Sequence, residues 1–522
     1  MSEGEWTQVA DEGELEEGQP LSVKVGKQSI MLVRLGDRIH ACGGKCTHYG
    51  APLADGLLVE GTIVCPWHSA RFDVSTGRME APPALDHAGH YPVKVEDGAV
   101  YVGPKEEPQP AEREPDDRTF VILGGGAGGN AAAETLRAAG FGGRVVMVTA
   151  EQHVPYDRPT LSKEFMSGEA PAKWLPLRSE KFYDRRDIEL LTGRQVAGLD
   201  TEAMTIIFED GEELACDAVL LASGGVPRTL DLPGADLDGV FTLRSRADAE
   251  RIADAAEDAE SVVIIGAGFI GMEVASALCE RGLAVHVVAP EQVPLARVFG
   301  EQIGAWLMER HEEEGVVFHL GTTAAEIRGG EGVEAVVLED GTELAADMVL
   351  VGVGIRPAVG FLEGAGLVVD GAVPVDETLM TEAEGVYAIG DIAVVPDPHT
   401  GEGCRVEHWI VAERQGQHAA RAMLGDDSPY GEVPFFWTHQ AGVSLKYVGY
   451  APEWDRLVFR GDLEDGKFLA GYYQNGALRA AAGVGRGNEI LAVAEALRRA
   501  IEVPAEAFAD QDCDLCKPVP EP

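Results

Sequence analysis

The chain has 522 residues, 45% hydrophobic and 25% charged. That is a globular composition with room for about three or four domains. Eighty-eight acidic residues against 42 basic ones give a net charge of −46, a surface that repels nucleic acid and anionic lipid. The longest apolar run, 262–278, is broken by Gly266, Gly268, Gly271 and Glu273, so no membrane span is expected. The N-terminal stretch lacks the basic and apolar regions of a leader, and eight Cys in so long a chain do not suggest a disulfide scaffold. A cytoplasmic location follows as the expectation.

Residues 1–103 read as short β runs (21–25, 29–35, 62–64, 91–95) separated by Gly and Asp turns, with Asp97-Gly98 as a hairpin signal. Two loops of this all-β domain carry Cys46-x-His48 and, after 16 residues, Cys65-x-x-His68. A zinc finger usually pairs its Cys in one turn and its His on a helix. Here each loop supplies one Cys and one His, which suits a [2Fe–2S] cluster with both Cys on one iron and both His on the other. A structural zinc remains the alternative on spacing alone. The loops C-T-H-x-G-A-P-L and C-P-W-H resemble those of Rieske ferredoxins. In high-potential members the positions of Ala51 and Trp67 look like a disulfide, and its absence implies a potential near the bottom of the roughly −150 to +300 mV range. Cys42 departs from the usual pattern and reads as a small buried residue rather than a ligand.

A stretch rich in Pro and charge, 104–117, reads as an extended linker. An apolar strand at 120–123 follows, then Gly124-x-Gly126-x-x-Gly129 and a helical run, 130–139. A G-x-G-x-x-G between strand and helix is a dinucleotide fingerprint, because its glycines let backbone and helix N-terminus approach a pyrophosphate. Glu151, past the next strand at 144–148, is placed for a ribose hydroxyl. A second fingerprint, Gly266-x-Gly268-x-x-Gly271, follows the strand 262–265. The duplication extends to Asp210-Gly211 through Asp217 and Asp340-Gly341 through Asp347, each running into an apolar strand, Gly-rich residues and a Pro. Two such units imply two dinucleotides, a flavin and a nicotinamide. After the strand 285–288 the ribose-binding acid is displaced to Glu291, which could bind a free 2′-hydroxyl, or with Arg297 beyond it could admit a phosphate; NADH is favoured over NADPH.

The two fingerprints, Gly390-Asp391 after Val386-Tyr387-Ala388-Ile389, and Pro155-Tyr156-Asp157-Arg158-Pro159-x-Leu161-Ser162-Lys163 resemble the two-dinucleotide flavoprotein reductases. Within them the chain is most similar to the ferredoxin reductases and to Rieske-containing, apoptosis-inducing-factor-like members. The resemblance implies that Gly124, Gly126, Gly129 and Glu151 hold the adenosine diphosphate of FAD and that Asp391 meets its ribityl or phosphate part. It puts Arg158, Lys163 and Trp437 near the flavin, with Glu407, His408 and Trp409 in another adjacent segment. Glu273 is implied as partner of Lys163 and contact of the nicotinamide, so Lys163 and Glu273 are the catalytic candidates. Cys46, His48, Cys65 and His68 are the cluster ligands.

The expected architecture is a Rieske domain (1–103), a linker (104–117), a discontinuous FAD domain (118–243 and 367–430), an NAD(P) domain (244–366) and a C-terminal reductase interface domain with a tail (431–522). The two nucleotide domains are expected to be α/β and Rossmann-like, the last α+β, with strands at 456–459 and 468–473 and a helix at 489–502. The expected activity is electron transfer from NAD(P)H through FAD to the cluster and an external acceptor, which could be a ferredoxin, an oxygenase or a small molecule, in a monomer or homodimer. The alternatives are a disulfide or persulfide reductase using the tail pair Cys513 and Cys516, and a redox-sensing signalling flavoprotein.

Overall fold

The structure, a computed structural model, describes residues 6–109 and 111–517. The described N-terminal part is built of strands, turns and two short 3-10 helices, Glu12–Glu14 and Leu53–Asp55: Leu21–Val25, Gln28–Leu35 and Arg38–Gly43 form one antiparallel sheet, and Leu57–Val59, Thr62–Val64, Arg71–Asp73 and Met79–Ala81 another. A third sheet pairs Thr7–Asp11 with the hairpin Val93–Glu96/Ala99–Val102, whose turn residues Asp97 and Gly98 both have positive φ. The strand Gln28–Leu35 shows how two cores share one element. Successive side chains leave a strand on opposite faces, so Met31 and Val33 pack around the ligand loops while Ile30 and Leu32 pack with Tyr91, Val100 and Val102.

Two described residues of the 104–117 segment are held by backbone hydrogen bonds. Glu106 and His90 exchange backbone hydrogen bonds of 2.7 and 2.9 Å, and the Glu114 N–H donates to the Gly140 carbonyl at 3.0 Å. The linker is thus pinned to a body at each end.

Two five-stranded parallel sheets follow, both strongly apolar because parallel strands are covered on both faces. In the first the order is Ile188–Thr192, Arg144–Thr149, Thr119–Leu123, Ala218–Leu221 and Val386–Ala388, so its last strand arrives from far along the chain. In the second, Val240–Phe241, Met348–Val351, Ser261–Ile265, Ala284–Ala289 and Val317–Leu320 lie side by side. The duplicated Asp-Gly segments are the last turns of matching three-stranded antiparallel sheets, 196–215 and 324–345, with φ of +84° at Gly211 and +86° at Gly341. A two-stranded ribbon, Gly225–Pro227 against Ile355–Pro357, ties the halves together.

The C-terminal part is a five-stranded antiparallel sheet from Phe435–Gln440 to Arg456–Asp462, with the helix Gly487–Arg498 against it. That helix stops short of the expected 502 because Ala500 turns left-handed, φ +52°. Leu57 and Val64 of the N-terminal part share one hydrophobic cluster with Phe435, Val448 and Ile490, so the small β body is seated on the C-terminal sheet.

Candidate functional site

The ligand loops bring four side chains together as two pairs. Cys46 and Cys65, both essentially buried, share a thiol hydrogen bond that pushes the Cys46 thiol up and the Cys65 thiol down. The Nδ1 atoms of His48 and His68 face each other at 3.0 Å, and burial pushes both imidazoles down, to about 4 and about 2, so both are neutral and able to ligate. Among the described residues no three His, Cys, Asp or Glu side chains surround one point. Two pairs of unlike softness fit an iron pair with sulfur on one side and nitrogen on the other. Cys42 is fully buried in the adjoining core with its thiol pushed up to about 12 by burial, and it takes no part in the pairs.

A cavity of about 1380 Å³ runs between the two parallel sheets and the C-terminal sheet, larger than the ~300–1,000 Å³ of a typical single-ligand site. Gly124, Gly126, Glu151, Arg158, Lys163, Gly268, Glu273, Glu291, Arg297, Asp391, Glu407, His408, Trp409 and Trp437 line it. Gly129, Gly266 and Gly271 do not, since they serve the turns themselves. A Cβ at Gly129 would stand 1.8 Å from the Gly124 carbonyl oxygen and one at Gly271 2.1 Å from that of Gly266. At Gly126, by contrast, a Cβ would meet nothing within 4 Å, and at Gly268 only one backbone atom at 4.0 Å. These two cap the helices Ala127–Ala138 and Phe269–Glu280, neither with an acidic residue in its first turn. Two bare helix N-termini opening on one cavity form a cradle for two diphosphates.

The charged groups in the cavity are paired. Glu151 accepts from the Tyr156 hydroxyl (2.5 Å) and the Arg158 guanidinium (2.8 Å), and Asp391 from Arg244 (2.8 Å). Lys163 forms an ion pair of 2.8 Å with Glu273, both almost buried. Glu273 also accepts from Ser162 at 2.5 Å and Thr438 at 2.7 Å. Tyr156 and Ser162 sit inside the Arg158–Lys163 motif without being assigned a role from the sequence, while Arg244 and Thr438 escape sequence reasoning because each is recognised only by a partner distant in the chain. No cysteine lines the cavity. Cys513 and Cys516 lie against the C-terminal sheet, where Arg460 donates to the Cys513 carbonyl at 2.7 Å and Cys516 packs with the surrounding core.

Trp437 joins the cavity to the two Cys–His loops. Trp437 lines the cavity, and its ring lies 4.3 Å from the His68 ring, centroid to centroid, inclined by 37°. Around that contact Tyr49 donates to the Asp157 carboxylate, Lys446 donates to the Pro66 carbonyl, and Arg414 donates to Ser69 carbonyl and hydroxyl at 3.0 and 3.1 Å. Farther out, Arg71 pairs with Glu495 (2.7 Å) and Glu432 (3.3 Å), and Arg178 with Asp86 (2.8 Å).

Three families of known proteins match successive stretches of the chain. Residues 5–92 match the Rieske [2Fe-2S] domain, 118–416 the pyridine nucleotide-disulphide oxidoreductases and 435–519 the reductase C-terminal family. Human apoptosis-inducing factor 3 is 38% identical over 93% of this chain and 84% of its own length. The ferredoxin–NAD(+) reductase subunit of the benzene 1,2-dioxygenase system of Pseudomonas putida is 35% identical over 75% of this chain and 95% of its own. The covalent putidaredoxin reductase–putidaredoxin complex superposes with a TM-score of 0.74 at 31% identity, covering 77% of this chain and 98% of the solved one. No helix among the described residues is long and apolar enough to cross a membrane. The chain therefore belongs to the pyridine nucleotide-disulphide oxidoreductases, as a flavin- and nicotinamide-dependent member that carries its own Rieske [2Fe–2S] domain.

Proposed function

We propose that the chain takes electrons from NADH and delivers them through FAD to its own cluster, and from there to an external one-electron acceptor. When bound, FAD supplies the conversion of a two-electron hydride into single electrons, and the cluster is a one-electron carrier. Gly126 and Gly268 leave the space in which the two diphosphates approach the helix N-termini. Glu151 would hold a ribose hydroxyl, Asp391 the ribityl or phosphate part, and Arg158 and Lys163 would place positive charge beside the reduced ring. Glu273 would anchor Lys163 and meet the nicotinamide carboxamide. Glu291, with its carboxylate in the cavity, would accept from the free ribose hydroxyl of NADH, and relatives named as NAD(+) reductases support that preference. The domain limits that go with this reading are those expected from the sequence: 1–103, 118–243 with 367–430, 244–366 and 431–522.

The observation that carries the proposal is Trp437, one ring that both lines the cavity and packs on a cluster ligand. Its half-buried ring would be the direct route between a flavin in the cavity and a cluster held by His68. Neither alternative is favoured: no thiol reaches the cavity, and the tail pair is engaged with Arg460 and the C-terminal core. The test is anaerobic titration with NADH, following flavin absorbance and the cluster's electron paramagnetic resonance together. Bleaching followed by a reduced Rieske signal is expected; bleaching with a permanently silent cluster overturns the internal path.

A further inference from the structure

Glu273 is 4% exposed. A carboxylate so placed is tolerated only when both oxygens are hydrogen-bonded. One oxygen accepts from Ser162 and Lys163 at 2.5 and 2.8 Å. The other has the Thr438 hydroxyl at 2.7 Å. A threonine hydroxyl carries one proton, so it can donate to Glu273 only if its second neighbour does not claim that proton. This neighbour is Gln440, whose Nε2 lies 2.9 Å from the Thr438 oxygen while its Oε1 lies 2.9 Å from His311 Nε2. Were the Gln440 amide turned over, its carbonyl would draw the Thr438 proton away from Glu273. His311 favours the first orientation: it is fully buried and its Nδ1 has no partner, so a proton there would be a buried donor left unpaired, whereas a proton on Nε2 is given to the Gln440 carbonyl oxygen. Donation then runs one way, from His311 to Gln440 to Thr438 to Glu273.

We infer that Thr438, Gln440 and His311 are positioning residues, a directed hydrogen-bond chain that sets the Glu273 carboxylate and through it the Lys163 ammonium. The chain joins three separate parts of the fold. Thr438 and Gln440 are alternate residues on one face of the strand Phe435–Gln440 of the C-terminal sheet, Glu273 and His311 sit on the helices Phe269–Glu280 and Glu301–Glu314 of the second nucleotide unit, and Lys163 comes from the first. The geometry of the Lys163–Glu273 pair therefore depends on how the C-terminal sheet is seated. Thr438, Gln440 and His311 do not line the cavity, so their effect passes through the Glu273 carboxylate. The inference rests on the proposed role of Lys163 and Glu273 beside the flavin.

The test compares Thr438→Val, which keeps the shape and removes the hydroxyl, with Thr438→Ser, which restores it. In the holoenzyme, Lys163 is labelled with an amine-acylating reagent and quantified by mass spectrometry against the exposed Lys181. Thr438→Val is expected to raise Lys163 labelling about fivefold, and Thr438→Ser to leave it near wild type. In stopped flow, Thr438→Val should slow flavin bleaching at saturating NADH about tenfold, with the half-saturating NADH concentration nearly unchanged. Unchanged labelling in Thr438→Val, or a Thr438→Ser variant as altered as Thr438→Val, overturns the inference. If Thr438→Val does not fold, Gln440→Leu is read by the same labelling assay, with the same direction expected. Failure of wild-type flavin to bleach with NADH would instead strike the proposed function, because the labelling readout needs no turnover.

Discussion

Cys42 and Cys46 stand four residues apart in one hydrophobic cluster, yet only Cys46 meets Cys65. Cys42→Ala should therefore leave the reduced cluster's paramagnetic spectrum unchanged at a stability loss of about 1 kcal/mol, whereas Cys46→Ala should abolish the signal. His408 gives a second prediction at this scale. It lines the cavity, stacks on Phe436 at 4.0 Å, and burial pushes its pKa down to about 4. The folded state thus holds the neutral ring, while the unfolded chain protonates near the ordinary value of about 6.5. Its contribution is complete above about pH 6.5 and is lost as the pH falls towards 4. Melting curves of holoprotein across that window should show a smaller acid-induced drop for His408→Phe than for wild type, by at most about 3 kcal/mol. That Cys46, His48, Cys65 and His68 come together was legible because the signal is local: two short motifs declare it. Thr438 and Arg414 were not, since their partners lie 165 and 345 residues away, and nothing in a run of amino acids marks such a pairing.

At the scale of elements, the two strand–turn–helix units were legible because the same glycines must do two different things. Gly129 fails as Ala for a packing reason, its Cβ falling 1.8 Å from the Gly124 oxygen. Gly126 has open space where a Cβ would go. Gly129→Ala is expected to distort the turn and yield protein without bound FAD and with a melting temperature lowered by several degrees. Gly126→Ala should fold normally and show weaker FAD binding alone, read as flavin released on dilution. Equal loss of stability in both would show that Gly126 is a packing glycine too. The hairpin at Asp97-Gly98 and the repeated Asp-Gly turns were likewise legible from positive-φ chemistry. The helix end at Arg498 was not, because Ala500 adopts a left-handed turn that its residue type does not announce.

For the whole molecule, the sequence shows a Pro-rich connection and leaves the placement of the Rieske body open. Packing decides it. A hydrophobic patch, Leu57 and Val64 against Phe435 and Val448, is ringed by arginines from both sides. Arg71 reaches from the Rieske body to Glu432 and Glu495, and Arg414 reaches back to Ser69, with Glu432 within 3.3 Å of both guanidinium groups. A chain of net charge −46 needs such pairs wherever acidic surfaces close on each other, and pairs this buried are weakened little by salt. Removing Arg71 takes one charge-assisted partner from each of Glu432 and Glu495, which keep Arg414 and Arg498, at a cost of about 1.5–3 kcal/mol. Arg71→Ala should accordingly loosen the docking that brings His68 onto Trp437 without touching the nucleotide cavity. In anaerobic stopped flow, flavin bleaching by NADH should keep its rate, while reduction of the cluster should slow by at least about tenfold and become dependent on salt. The same variant should expose the Trp437 face, so that an added Rieske-type ferredoxin can dock there and be reduced directly. Cluster reduction in Arg71→Ala as fast as in wild type would mean that the hydrophobic patch alone seats the domain.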